Sequence, residues 1–314
     1  VRLSLAIHPF LQLAKQRYYW SLPRLARITW ALVTHSRQQR EVFQVLALPA
    51  LHRLAFRHPE LPFKYLSRDY LARGLSTVDR ASCFRHHYSR IASGLPAELL
   101  REVLCKGATL LEKTDGEDHY AIVLGHAHTE VREGELYLEL RMNGEKVYVL
   151  QFTVVPGEVV SSAAEDVILV SRLQGMKGCY AQVHSATRAF RDVAPPVLLM
   201  AVLQGVAQAL DIHELAAVSA TSQFSYLPEY AERFVEAYDQ FFLEAGAIRS
   251  SRIFLTCALP LEEKPVEGTH KTRTKKKRVY RRELAEAICR TIREGTQGLE
   301  STPGLESAHG PESA

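Results

Sequence analysis

The chain has 314 residues, of which 46% are hydrophobic and 24% charged. That excludes a collagen-like or wholly disordered chain, and the length suits one large or two modest domains with a buried core. Net charge is only +4, yet residues 1–90 carry 15 Lys/Arg against 4 Asp/Glu, residues 91–270 carry 14 against 25, and residues 271–282 carry 8 against none.

Residues 1–107 read as a helical N-terminal region. Leu3, Ile7, Phe10 and Leu11 recur at helical spacing, as do Leu25, Ile28 and Leu32. Tyr18, Tyr19 and Trp20 stand among Lys and Arg, a pattern that suits packing on a neighbouring domain or lying on an anionic membrane. A second apolar-periodic stretch covers 42–56, and Pro59 and Pro62 then break it. Ser76, with Asp79 three residues on, is the N-cap of a helix carrying Cys83, His87 and Tyr88. A short helix over 97–104 follows.

The pattern changes near Ala108, where a sheet domain over 108–294 is expected. A strand covers 120–129. Leu136, Leu138, Leu140 and Met142 alternate with Glu135, Tyr137, Glu139 and Arg141, and Asn143-Gly144 then signals a hairpin with its return strand at 147–155. The apolar run 167–171 reads as a buried strand. Pro195-Pro196 opens a helix to about residue 210, and 215–219 is a further buried strand. Strand, helix, strand is a βαβ unit with parallel strands. A helix over 229–245 and a strand over 252–259 come next. The charged segment 262–282 reads as partly disordered, 281–293 as helical, and 295–314 as a disordered tail. The fold class is α/β, in the α+β sense: a helical region followed by a mixed sheet flanked by helices.

Several short stretches, in this order along the chain, resemble the VirK/YbjX family of bacterial proteins. They are Phe63-Lys-Tyr-Leu66, Leu75-Ser-Thr-Val-Asp-Arg80, His87-Tyr88, Glu133-Gly-Glu-Leu136, Phe152-Thr153 and Leu173-Gln174-Gly175. Ala186-Thr-Arg-Ala189, Tyr238-Asp239 and Lys277-Arg278-Val-Tyr-Arg-Arg282 complete the set, which spans roughly residues 45–290. The resemblance implies a cytoplasmic protein associated with virulence or stress survival, without a common chemistry. Many relatives are expected to carry a histidine soon after Ser219; here Gln223 stands in that stretch. The order of elements after 108 also resembles the N-acetyltransferase fold of the GNAT type, which is an analogy of fold and not of function.

That second resemblance implies acyl transfer from a thioester donor, such as acyl-coenzyme A, to an amine or hydroxyl acceptor. Gln174, Gly175, Lys177, Gly178 and Arg188 are the candidate donor-binding residues, because glycines let backbone approach a phosphate and a helix N-terminus favours it. About 19 residues separate Gly175 from the helix opened by Pro195. His87 and Tyr88 are the candidate proton-transfer pair. Ser219, Gln223 and Tyr238 are the candidate acceptor-side residues. His126 and His128, two apart on a strand, share a side but have no third ligand by spacing, so no metal is expected. The alternative function is non-enzymatic: binding a partner, an anionic membrane or, less in keeping with the missing nucleic-acid motifs, nucleic acid through the basic ends. Five scattered cysteines without a CxxC pair, no apolar run of spanning length and no signal peptide suit reduced thiols in the cytoplasm.

Overall fold

The computed structural model describes residues 29–30, 33–128, 131–263, 271–295 and 299–300. The expected first helices and the tail therefore lie largely outside the described residues. Two short helices come first, α1 (Ser36–Leu46) and α2 (Pro49–Arg57), followed by a 3-10 turn at Leu61–Leu66. Helix α3 (Thr77–Gly94) starts at the expected cap: the Ser76 hydroxyl accepts the Asp79 N–H at 3.1 Å. Helix α4 (Ala97–Cys105) completes the front.

Strands β1 (Ala108–Asp115), β2 (Asp118–His126), β3 (Leu136–Met142), β4 (Glu145–Pro156) and β5 (Asp166–Gly175) run antiparallel, each to the next. The β3–β4 turn is the expected one. Asn143 and Gly144 both have positive φ, 53° and 83°, as a two-residue hairpin of the primed type demands. Helices α5 (Tyr180–Ala189) and α6 (Pro195–Ala209) then carry the chain to β6 (Glu214–Val218), which pairs parallel with β5. Helix α7 (Ala231–Phe234), a π-helical stretch (Val235–Gln240) and α8 (Phe241–Glu244) lead to the hairpin of β7 (Ile248–Arg249) and β8 (Phe254–Ala258). Helix α9 (Lys271–Glu294) and a two-residue strand β9 (Leu299–Glu300) close the order, giving one mixed sheet, β7-β8-β6-β5-β4-β3-β2-β1-β9.

Three expectations change. The segment 271–282 is the first half of α9, not a disordered stretch, because Tyr280 and Leu284 begin an apolar stripe that continues through Ile288 and Ile292 into the core. The helix expected over 229–245 is interrupted by the π-helical stretch that carries Tyr238 and Asp239. The span between Gly175 and Pro195 holds a helix of its own, α5.

Candidate functional site

Strands β5 and β6 pair only at Ile168–Leu215, Leu169–Ala216 and Val170–Ala217. At Ser171 the β4–β5 register slips, since Gln151 pairs with Arg172 and Phe152 with Val170, which leaves Ser171 as the extra residue of a bulge. From there to Gly175 the β6-facing edge of β5 has no strand beside it among the described residues. Two buried side-chain atoms around this parting have no hydrogen-bond partner: Ser171 Oγ and Gln223 Oε1. Buried polar atoms are rarely left so, and two together suit a place where a polar ligand or water binds. Gln223 Nε2 donates to the Val218 carbonyl at 3.3 Å, so this side chain stands where β6 would otherwise have continued beside β5.

The mouth of the parting is charged. Arg172 donates to Glu133 at 3.1 Å and to Gln174 at 3.0 Å. Burial raises the Glu133 carboxyl above its usual range, against the opposing pull of Arg172 and of the Ser225 hydroxyl. Burial likewise raises the Tyr238 phenol, with Glu133 adding to the rise and Arg172 opposing it. Asp239, next to Tyr238, accepts the Ala220 N–H at 2.7 Å and pairs with Arg249 at 2.7 Å, which fixes the π-helical stretch against the end of β6. Ser219 is turned away: its hydroxyl donates to the Arg252 carbonyl at 3.0 Å.

Beyond Gly134 the same extended stretch serves a second cluster. Glu135 is fully buried and pairs with the Lys64 ammonium at 3.1 Å, itself only 2% exposed. Lys64 also donates to the Gly134 carbonyl at 3.1 Å. The Tyr88 hydroxyl donates to Glu135 at 2.5 Å and lies 2.8 Å from His126 Nε2. Gly134 has no room for a side chain, since a Cβ there would sit 3.0 Å from Gln151 Cβ and 3.1 Å from the Phe152 nitrogen. Glu133-Gly-Glu135 thus ties the parting of β5 and β6 to the buried network under α3.

The structure sorts the expected site residues into separate groups. Gln174, Gly175 and Tyr238 gather at Arg172 and Tyr148, against whose ring Gly175 packs. Gln223 lies at the end of β6, with its amide on the Val218 carbonyl. Lys177 and Gly178 are exposed at the start of α5, where Gly178 has φ +87° and open space around it. Arg188 is ten residues further on, about 15 Å along at helical rise, so it does not join that loop. His87 is apart from both, fully buried, and its Nδ1 accepts the Val154 N–H at 3.1 Å. Burial, then Lys64, then His86 hold its pKa down to about 3, so the ring is neutral. Tyr88 meets His126 and Glu135 through its hydroxyl. Glu133, Arg172, Lys64 and Glu135 escaped sequence reasoning as chemical groups, although Glu133-Gly-Glu was visible as a motif. Among the described residues no group of three or more His, Cys, Asp or Glu is placed to hold a metal ion, and no helix is long and apolar enough to cross a membrane.

A family model described as a protein of unknown function (DUF535) matches residues 21–293, and this is the VirK/YbjX family. No curated protein and no solved structure matches the chain.

Proposed function

The chain belongs to this family of unknown function, and from that premise we propose that it transfers an acyl group from a thioester donor to an amine or hydroxyl acceptor. The observation that carries the reading is the parting of β5 from β6 at the Ser171 bulge, with buried polar atoms left unpartnered beside it. A meander, a bulged strand, a helical crossover and a parallel strand that then diverges is the order that resembles the GNAT-type fold. In this reading the donor's amide-containing arm lies along the open edge of β5, and backbone N–H groups there polarise the acyl carbonyl. Lys177, Gly178 and the free N–H groups at the start of α5 meet the donor's phosphates. This helix begins at Tyr180, with only residues 176–179 between it and Gly175, so the long gap expected before a helix N-terminus is absent.

Proton transfer falls to the two groups at the mouth. Glu133, with its carboxyl raised by burial, takes the proton of the attacking amine or hydroxyl. Tyr238 gives its phenolic proton to the departing thiolate and regains one through water as Glu133 gives up the proton it took. The acceptor–hydrogen and carbonyl–sulfur bonds break while the new acyl bond and the thiol form. His87 and Tyr88 act as positioning residues, holding β4 and Glu135 so that Glu133 faces Arg172.

The test is a melting-temperature screen of the full chain against coenzyme A and a panel of acyl thioesters. A ligand at 100 times its Kd stabilises the folded chain by about 2.7 kcal/mol, which is readily seen. A larger shift with one thioester than with free coenzyme A is expected, and Tyr238→Phe should keep that shift while turnover falls by about 100-fold. No shift with any thioester overturns the reading. It would leave docking of the basic half of α9 on an anionic surface, where Lys275, Lys276 and Arg282 are exposed, to be tested by salt-dependent binding to anionic vesicles.

A further inference from the structure

A polar groove of about 500 Å³ crosses strands β2 to β4, lined by His126, Tyr137, Glu139, Arg141, Lys146 and Gln151 among others. Its His126 end is a different place from the parting of β5 and β6, although Gln151 at its margin pairs with Arg172. His126 pairs with Leu136, Leu136 with Phe152 and Phe152 with Val170, so three strand spacings separate His126 from β5. At roughly 4.8 Å each this is about 14 Å, beyond the reach of direct proton transfer, which needs contact or one water.

The hydrogen bonds fix what His126 offers the groove. Glu135 faces the Lys64 ammonium as a carboxylate, so it can only accept, and the single Tyr88 hydroxyl hydrogen goes to it. His126 Nε2, 2.8 Å from the same hydroxyl oxygen, must then carry the hydrogen and donate. Nδ1 is left as a bare lone pair with no hydrogen-bond partner among the described residues, on a side chain only 5% exposed. Gln151 Oε1, buried and also without a partner, belongs to the same lining. At the other end Arg141 and Lys146 both pair with the buried Glu139, which leaves one net positive charge. Arg141 is five residues along β3 from the His126 row, about 17 Å at strand rise.

We propose that this groove is a second ligand site, for an elongated hydroxyl- or amine-bearing anion, in which His126 Nδ1 accepts a hydrogen bond from the ligand's O–H or N–H. The neutral ring keeps its Nε2–H on Tyr88, whose own hydroxyl hydrogen is donated to Glu135. Tyr88 and Glu135 thereby fix the tautomer that leaves Nδ1 as an acceptor. The groups facing His126 are Lys64, His58, His87 and His128, with Tyr88 and Glu135 on the Nε2 side. Burial first, then Lys64, hold the ring neutral, so that Nδ1 keeps its lone pair for a hydrogen bond.

The test uses the full chain and needs no thioester, so it stands or falls apart from the acyl-transfer reading. Diethyl pyrocarbonate acylates a bare imidazole nitrogen, and peptide mapping reads which histidine reacts. Label is expected on His126 and not on His87, and ¹⁵N imidazole shifts should place the His126 hydrogen on Nε2. Tyr88→Phe should slow labelling of His126 by about tenfold. Inorganic phosphate should shift the backbone amides of Arg141 and Lys146. An unlabelled His126 in the folded wild type, or its hydrogen on Nδ1, overturns the hydrogen-bond-accepting role even if Tyr88→Phe fails to fold. Still amides at Arg141 and Lys146 overturn the anionic ligand class.

Discussion

His87 shows how one side chain couples the helical front to the sheet. Val154 lies beyond the last β3–β4 pair, Leu136–Phe152, so its N–H has no partner strand on that side. The His87 Nδ1 takes it, and a ring protonated there could not. A histidine held neutral with its pKa down to about 3 binds fewer protons folded than unfolded. Stability therefore rises with pH from about 3 to the ordinary histidine value near 6.5, and acid removes it, by on the order of 4 kcal/mol in full. His126 is lowered too and adds to the slope in the same direction. His87→Ala should cost about 2–4 kcal/mol near neutral pH, from the orphaned N–H and the cavity, and should flatten the slope. Denaturant midpoints of both proteins between pH 4 and 8 check this (roughly the window over which histidine titrates). An unchanged slope would mean the ring titrates normally in the fold. The sequence made His87 and Tyr88 stand out, but not what they touch. The partners of Tyr88 lie 38 and 47 residues away, and Glu133 meets Arg172 across 39. Such pairings follow from the sheet register, which no local spacing reports.

At the scale of elements, the legible parts were those with a strong local signal. Asn143-Gly144 between alternating strands gave the hairpin, Ser76 with Asp79 gave the start of α3, and Pro195-Pro196 the start of α6. Helix α5 was illegible because Tyr180–Ala189 has no apolar stripe; only Ala186 and Ala189 are buried in it. The basic half of α9 hid its helix for a related reason: like charges suggest a solvated segment, whereas here Arg273 pairs with Asp192 and Arg281 with Glu263. Arg191 lies over the Tyr280 ring at 4.9 Å, a further local support for this helix. Helices α6 and α9 approach closely at Gly205. A Cβ there would be 2.5 Å from the Ala285 carbonyl oxygen and 2.8 Å from Ile288 Cβ. The first obstacle is backbone, which cannot swing aside as a long side chain can. Gly205→Ala should therefore destabilise the chain by about 1–3 kcal/mol by forcing the two helices apart, despite the better helix propensity of alanine. Thermal and chemical melting measure the change, and a gain in stability would show that the helices separate without loss.

The whole molecule is held by a core shared between the front, the sheet and the last helix. Val42 and Leu51 of the front, Leu138 and Leu150 of the sheet and Ile288 and Ile292 of α9 belong to one buried apolar cluster. The expected boundary near 107 is thus a change of pattern along the chain that the core runs across. From α9, Tyr280, Leu284, Ile288 and Ile292 are each buried to 6% exposure or less. At about 1.5–3 kcal/mol for each large apolar side chain, their burial contributes roughly 6–12 kcal/mol. Whole-domain stabilities are about 5–15 kcal/mol, so one helix carries as much as the chain has to spare. A chain ending at residue 262 should consequently lack a cooperative transition and expose the apolar face of α6, read by loss of near-UV circular dichroism and by binding of a hydrophobic dye. Tyr280→Ser or Ile288→Ser in the full chain should lower stability without abolishing the transition, because each removes only its own share of that burial. A 1–262 chain that melts in one sharp step at an unchanged temperature would show instead that α9 is an appendage, and that the sheet and front alone make the folded unit.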